Sequence, residues 1–175
     1  VIITSDKCYD SNIQRSYKEN DKLGGNDVYS ASKACAEIIS AAYKESFLKK
    51  KGIKLATARS GNVIGGGDWS ENRLIPDAIR CLKNNKKIIL RNPKFNRPWQ
   101  HVLEPLAGYL ILAEKLWVNP ELAGAYNFGP SKDELVTVKD VIELARKVYS
   151  KGTVHYKENM IGPHEAGLLI LETSK

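Results

Sequence analysis

Cysteine, histidine and methionine are scarce: three, three and one in 175 residues. Cys8, Cys35 and Cys81 are odd in number and share no metal-ligand spacing. That excludes a disulfide framework and reads as reduced thiols of a cytoplasmic protein. His101, His155 and His164 are just as scattered, so no metal site is expected. Long apolar runs are missing too, and the first residues lack the basic-then-apolar plan of a signal peptide; no membrane partner is expected. There is no internal repeat and no low-complexity tract. A Gly-x-Gly-x-x-Gly turn is also absent. Gly61 to Gly67 lacks that spacing and runs into Asp68-Trp69-Ser70-Glu71-Asn72, not an apolar helix, so it reads as a flexible loop at a strand end.

What is present is ordinary globular material, 42% hydrophobic and 27% charged, in a chain long enough for one domain with a real core. The net charge is +7. Basic residues gather at Lys49 to Lys51 and Lys83 to Arg91 with no aromatic residues between them, so no nucleic-acid partner is expected. A solvated basic surface accounts for them, and a few well-placed cations would attract a small pyrophosphate-bearing substrate.

Strand and helix signals alternate. Val1 to Tyr9 is a β-branched run ending in a polar cluster, and Ile53 to Arg59 reads as the next strand. Residues 10 to 27 lack a period and read as a loop over the site. Between the two strands lies a helix started by Asp27 or Asn26, carrying an apolar stripe through Ala34, Ile38, Ile39 and Ala42 and closed by Lys49-Lys50-Lys51-Gly52. Pro76 fits the first turn of a helix to about Lys83, and Lys87 to Arg91 is a short strand. Leu106, Tyr109, Leu112 and Leu116 mark a helix that Asn119-Pro120 stops. Ala125 to Pro130 is a strand and turn, Thr137 to Asp140 resembles a capping box for a helix to about Tyr149, and Thr153 to Tyr156 is a strand.

Tyr29 and Lys33 stand four residues apart on the first helix, so their side chains share one face. An ammonium beside a phenol favours the phenolate and makes such a Tyr usable as an acid/base near neutrality. With the strand end Thr4-Ser5-Asp6-Lys7-Cys8-Tyr9, this Tyr-x-x-x-Lys helix resembles the extended short-chain dehydrogenase/reductase family. Gly61-Asn62-Val63-Ile64-Gly65-Gly66-Gly67-Asp68-Trp69, Arg73-Leu74-Ile75-Pro76 and Arg97-Pro98-Trp99-Gln100-His101-Val102-Leu103-Glu104-Pro105 extend the likeness over essentially the whole chain. Within the family it is most similar to nucleotide-sugar 4,6-dehydratases of the class acting on CDP-glucose.

The resemblance implies an α/β fold: the C-terminal half of a Rossmann-like parallel sheet plus a small mixed α/β substrate-binding domain. Residues 1–60 would belong to the NAD-binding part and 61–175 mainly to the substrate part, with 124–130 returning to the sheet. It implies NAD as cofactor and an internal redox cycle that dehydrates CDP-glucose to its 4-keto-6-deoxy form. Tyr29 would be the base for the sugar 4-hydroxyl, Lys33 would hold the nicotinamide ribose, and Ser5 would bond the same hydroxyl or satisfy a nearby backbone group. Asp6 matches the acid for the departing 6-hydroxyl, and burial would raise its pKa. Lys7 stands where related dehydratases carry Glu and would be the elimination base; if it only pairs with a carboxylate, that base is unassigned. Arg97 and Asn62 match contacts to the nucleotide diphosphate, with Arg73 a weaker match. Trp69 and Trp99 could stack on a base or pack into the core, and His101 reads as buried and structural.

The resemblance also implies missing strands and phosphate-cradling glycines ahead of Val1. A homo-oligomer, or a complementary N-terminal half that pairs with the first strand, is expected. Other readings are a different nucleotide-sugar epimerase or dehydratase, and an inactive or binding-only fragment.

Overall fold

The computed structural model describes residues 1–12, 15–131, 134–157 and 169–175. A three-stranded parallel sheet positions the site: β1 (Ile2–Ile3), β2 (Thr57–Ser60) and β7 (Ala125–Phe128), in that order, with Ile2 opposite Thr57 and Arg59 opposite Asn127. Both predicted strands are shorter than their sequence signals. Ser5 ends the first, because its hydroxyl accepts a hydrogen bond from the Lys7 backbone N–H and starts a 3-10 turn, Asp6–Cys8. Residues 53–56 precede β2 because the Ile53 N–H still bonds back to the Leu48 carbonyl.

Helix α1 (Val28–Tyr43) is capped by Asp27, whose carboxylate accepts from the Ser30 N–H at 3.0 Å. A wider π-type turn, Lys44–Leu48, and a 3-10 turn, Lys49–Lys51, prolong it to Gly52, whose φ of +69° is the left-handed closure that glycine makes without strain. Of the expected apolar stripe only Ala34 faces the core. The buried positions are Ser30, Ala34, Glu37 and Ser40, whereas Ile38 and Ile39 are exposed.

The remainder surrounds a second core. The glycine-rich stretch is not simply loop: Val63–Ile64 forms β3, parallel to β6 (Gln100–His101), since two β-branched residues find an extended partner there. Helix α2 (Leu74–Lys83), strand β4 (Ile88–Arg91) and helix α4 (Val138–Tyr149) enclose Ala78, Leu82, Leu90 and Ile142. β4 pairs in parallel with β9 (Val154–Lys157), and β5 (Asn96–Arg97) pairs antiparallel with β8 (Val136–Thr137). The capping box at α4 forms as expected: Thr137 Oγ1 accepts from the Asp140 N–H at 3.1 Å, and the Asp140 carboxylate accepts from the Thr137 N–H at 3.0 Å. Helix α3 (Leu103–Val118) lays Leu112 and Leu116 on Ala56 and Ala58 of the sheet side. Among the described residues no helix is long and apolar enough to cross a membrane, and no group of His, Cys, Asp and Glu could hold a metal ion. His164 and the segment from Pro163 to Leu168 lie outside the described residues.

Candidate active site

The site forms where β1 ends. Thr4 still bonds the sheet through its N–H, at 2.9 Å from the Ala58 carbonyl, and the next residues swing into the 3-10 turn. The turn packs against α1, so Ser5, Asp6 and Lys7 stand next to the helix that carries Tyr29 and Lys33. Ser5 Oγ donates to Asp6 Oδ1 at 2.9 Å and accepts from the Lys7 N–H at 3.2 Å. Its first task is therefore to hold the turn, which is the local reading of that hydroxyl.

Asp6 is buried, and its Oδ2 has no hydrogen-bond partner among the described residues. Burial raises its pKa above the ordinary carboxylate range; the charge of Lys7, the Ser5 hydrogen bond and the charge of Arg97 oppose the rise without cancelling it. A carboxyl that keeps its proton to higher pH and has an unengaged oxygen can donate that proton. Gly61 makes room for it: a Cβ there would overlap Pro98 and sit 3.2 Å from Asp6 Oδ2. Asp6, Gly61 and the Arg97-Pro98 segment are thus one cluster.

The raised pKa has a consequence for stability. The native state holds a proton that the unfolded chain releases near 3.8, so Asp6 contributes stability that is complete below that value and is lost as pH rises through the folded pKa. Asp6→Asn removes this cost. Its melting temperature should gain on the wild type as pH rises from 4 to 8, and parallel melting curves would contradict the assignment.

Lys7 forms no ion pair among the described residues; its charge bears on Asp6 and on the Asp27 cap. Tyr29 is half exposed, and Lys33 Nζ lies 5.6 Å from the centre of its ring. A partly exposed phenol with an ammonium alongside fits a ribose hydroxyl and a sugar hydroxyl, the contacts a nicotinamide cofactor and its substrate would present there.

Arg97 is buried on β5, stacked 5.3 Å over Phe95, with Nη1 donating to the Asn96 carbonyl at 2.8 Å. Asn62 follows Gly61, and its side-chain amide makes no hydrogen bond among the described residues; its carbonyl accepts from the Gln100 N–H at 3.0 Å. Arg73 stands apart. It precedes α2, is exposed, and has its nearest carboxylate at Asp68, 3.9 Å away. His101 is exposed rather than buried: its Nδ1 accepts from the Leu103 N–H at 3.3 Å, so it caps α3 from outside. Trp99 packs against the second core, while Trp69 is half exposed with Lys83 Nζ 5.1 Å above its ring.

Sequence reasoning missed a buried polar network behind the turn. Arg59 donates from Nη2 to Glu37 Oε2 at 2.7 Å and from Nη1 to Tyr9 Oη at 2.9 Å and the Glu19 carbonyl at 2.8 Å. Glu37 also accepts from Thr57 at 2.8 Å and from Thr4. Tyr9 Oη donates to Asn127 Oδ1 at 2.6 Å. The segment expected to be a loop over the site folds onto this network through Glu19 and Tyr17, whose ring stacks on Tyr9 with centroids 4.8 Å apart. Two signals were available. Glu37 continues the four-residue row of Tyr29 and Lys33, and Arg59 is a charge inside an apolar strand, which demands a partner.

Comparison with known proteins agrees with this geometry. Residues 1–129 match the NAD dependent epimerase/dehydratase family, and the chain belongs to that family. The CDP-glucose 4,6-dehydratase of Salmonella typhimurium is 43% identical over 182 residues, a match that takes in 100% of this chain and 51% of that protein. A dTDP-glucose 4,6-dehydratase of Streptomyces griseus is 29% identical, over 93% of this chain and 47% of its own length. The chain spans about half the length of the curated relatives it matches. Among solved structures, a UDP-N-acetylglucosamine 4-epimerase from Methanobrevibacter ruminantium, in complex with UDP-N-acetylmuramic acid, superposes with a TM-score of 0.82 at 20% identity, covering 99% of this chain and 53% of that one. The dTDP-glucose 4,6-dehydratase DesIV of Streptomyces venezuelae, with NAD and TYD bound, gives 0.77 at 18% identity, covering 98% and 50%. The α/β fold with its parallel sheet is therefore shared with these enzymes.

Proposed function

We propose that this chain carries the catalytic helix and substrate-binding part of a nucleotide-sugar 4,6-dehydratase that uses NAD and acts on CDP-glucose. The observation that carries the reading is Asp6: a buried carboxyl with a raised pKa and one oxygen unengaged among the described residues, held on a turn against the helix of Tyr29 and Lys33. The 43% identity to a CDP-glucose 4,6-dehydratase along the whole chain supports the choice of reaction and sugar. Residues 1–60 with 124–130 would form the cofactor side and the rest of 61–175 the substrate side.

NAD supplies the means of taking hydride from the sugar 4-position and returning it at the 6-position. Tyr29 takes the proton of the 4-hydroxyl as that carbon is oxidised, and Lys33 holds the ribose and stabilises the phenolate. The 4-ketone acidifies the proton at the 5-position, which Lys7 removes, while Asp6 protonates the 6-hydroxyl so that it leaves as water. Arg97 and Asn62 hold the diphosphate, and Arg73 assists from the rim. Val1, Ile2 and Ile3 are exposed along the free edge of β1, and we assign that edge to a complementary half or to a second copy.

The substrate assignment is tested by competition. With the half of its relatives' length that lies outside this chain supplied, turnover of CDP-glucose should exceed that of dTDP-glucose and UDP-glucose by at least tenfold in kcat/KM, about 1.4 kcal/mol. Equal or reversed preference would move the chain to another nucleotide-sugar class.

A further inference from the structure

The groups assigned to the chemistry sit on two separate pieces of chain: Tyr29 and Lys33 on α1, and Asp6 and Lys7 on the turn after β1. Nothing in either piece alone sets the distance between them. Only about 3% of the Arg59 residue surface is exposed, and its guanidinium lies between the two pieces. Nη2 holds Glu37, which is one and two four-residue steps along α1 from Lys33 and Tyr29. Nη1 holds Tyr9, which directly follows the turn. The same guanidinium lies 5.0 Å from the Tyr9 ring centre, so the ring is fixed by its face as well as its hydroxyl. Glu37 in turn grips Thr4, which follows β1, and Thr57, which begins β2.

We infer that Arg59 is a positioning residue that sets the turn bearing Asp6 and Lys7 in register with the helix bearing Tyr29, through Tyr9 on one side and Glu37 on the other. The planar fork suits the task, since its two terminal nitrogens hold partners on both sides in a fixed geometry, whereas an ammonium is one nitrogen with freely rotating donors. The inference rests on the dehydratase reading for the roles of the two pieces, though not for the network itself.

Two variants test it, Tyr9→Phe and Arg59→Lys, in the enzyme complete with the half outside this chain. Tyr9→Phe keeps the ring, its stack on Tyr17, the Arg59 contact with its face and the Arg59–Glu37 pair, and removes the hydroxyl's bonds to Arg59 and Asn127. The charged groups that bear on Asp6 are Lys7 of its own turn and Arg97 of β5; the Cys8 thiol is pushed up to about 12 by burial, the Tyr17 phenol is raised by burial as well, and both stay neutral. A loosened turn admits water to Asp6 and leaves Arg97 in place, while Lys7 moves with the turn. In carbon-13 NMR of the aspartates, the Asp6 titration should move down toward its ordinary value in both variants, and the alkaline limb of the kcat profile should move with it. Turnover should fall about ten- to a hundredfold, with CDP-glucose affinity changed less than about threefold. An Asp6 titration identical to the wild type in a folded Tyr9→Phe protein overturns the inference, as does an activity loss that merely follows the folded fraction. If the wild type makes no 6-deoxy sugar, the dehydratase reading fails, and the Asp6 titration still decides the positioning claim.

Discussion

Changing Tyr29 to Phe should abolish turnover, by about 10²- to 10⁴-fold in kcat, and leave CDP-glucose bound nearly as well as before. The ring is half exposed and Lys33 approaches its face, so losing the hydroxyl disturbs neither packing nor the cation's seat. Under the proposed mechanism, what is lost is the group that takes the 4-hydroxyl proton, an interaction made only as the reaction proceeds. A steady-state assay beside a calorimetric titration separates the two effects. Retained turnover would place the base elsewhere, and an equal loss of affinity would make Tyr29 a binding residue.

The largest effect on stability is expected at Glu37. Glu37→Ala leaves the Arg59 guanidinium buried without its carboxylate and deprives the buried Thr4 and Thr57 hydroxyls of their acceptor. Removing one partner of a buried ion pair costs about 3–5 kcal/mol, a fall in Tm of roughly 10 °C or more for a chain of this size. Acid should narrow the gap. Burial raises the Glu37 pKa, but hydrogen bonds from Arg59 and Thr4 and the charge of Arg59 outweigh it and leave it lowered. Its contribution is therefore present above the unfolded value of 4.5 and is lost as pH falls through the lower folded value. Chemical denaturation at pH 7 and at pH 4 measures both; a loss below about 1 kcal/mol at pH 7 would mean that the pair holds nothing in place.

The difference between these two residues shows what was legible in the sequence. Local chemistry could be read: the Asp27 cap, the glycine closure at residue 52, the Thr137–Asp140 box and the proline start at Pro76 each need only neighbours in the chain, and each forms. The turn Ser5-Asp6-Lys7 and its helix were visible because family likeness marks short contiguous motifs. The network of Glu37, Arg59, Tyr9 and Asn127 was not, because its partners lie 20 to 118 residues apart: the row that holds Glu37 and the charge of Arg59 in an apolar strand mark the groups but not which of them pair. The same limit explains the misplaced stripe on α1. Ile38 and Ile39 looked like core by composition, yet the sheet side of the helix is taken by the carboxylate that Arg59 requires. His101 was located at a helix start correctly and its burial was not, since a helix start says nothing about which side meets solvent.

The central claim is that these residues eliminate water from a nucleotide-bound hexose, and proton NMR reads that step directly. The chain, supplied with the half that its relatives' length implies, is incubated with CDP-glucose and NAD, and the spectrum is followed for a methyl signal. The account predicts a 6-deoxy methyl resonance growing as the 6-hydroxymethyl protons disappear, and no such growth with Asp6→Asn. A folded sample that binds CDP-glucose, broadening its lines, and produces no methyl signal would contradict it.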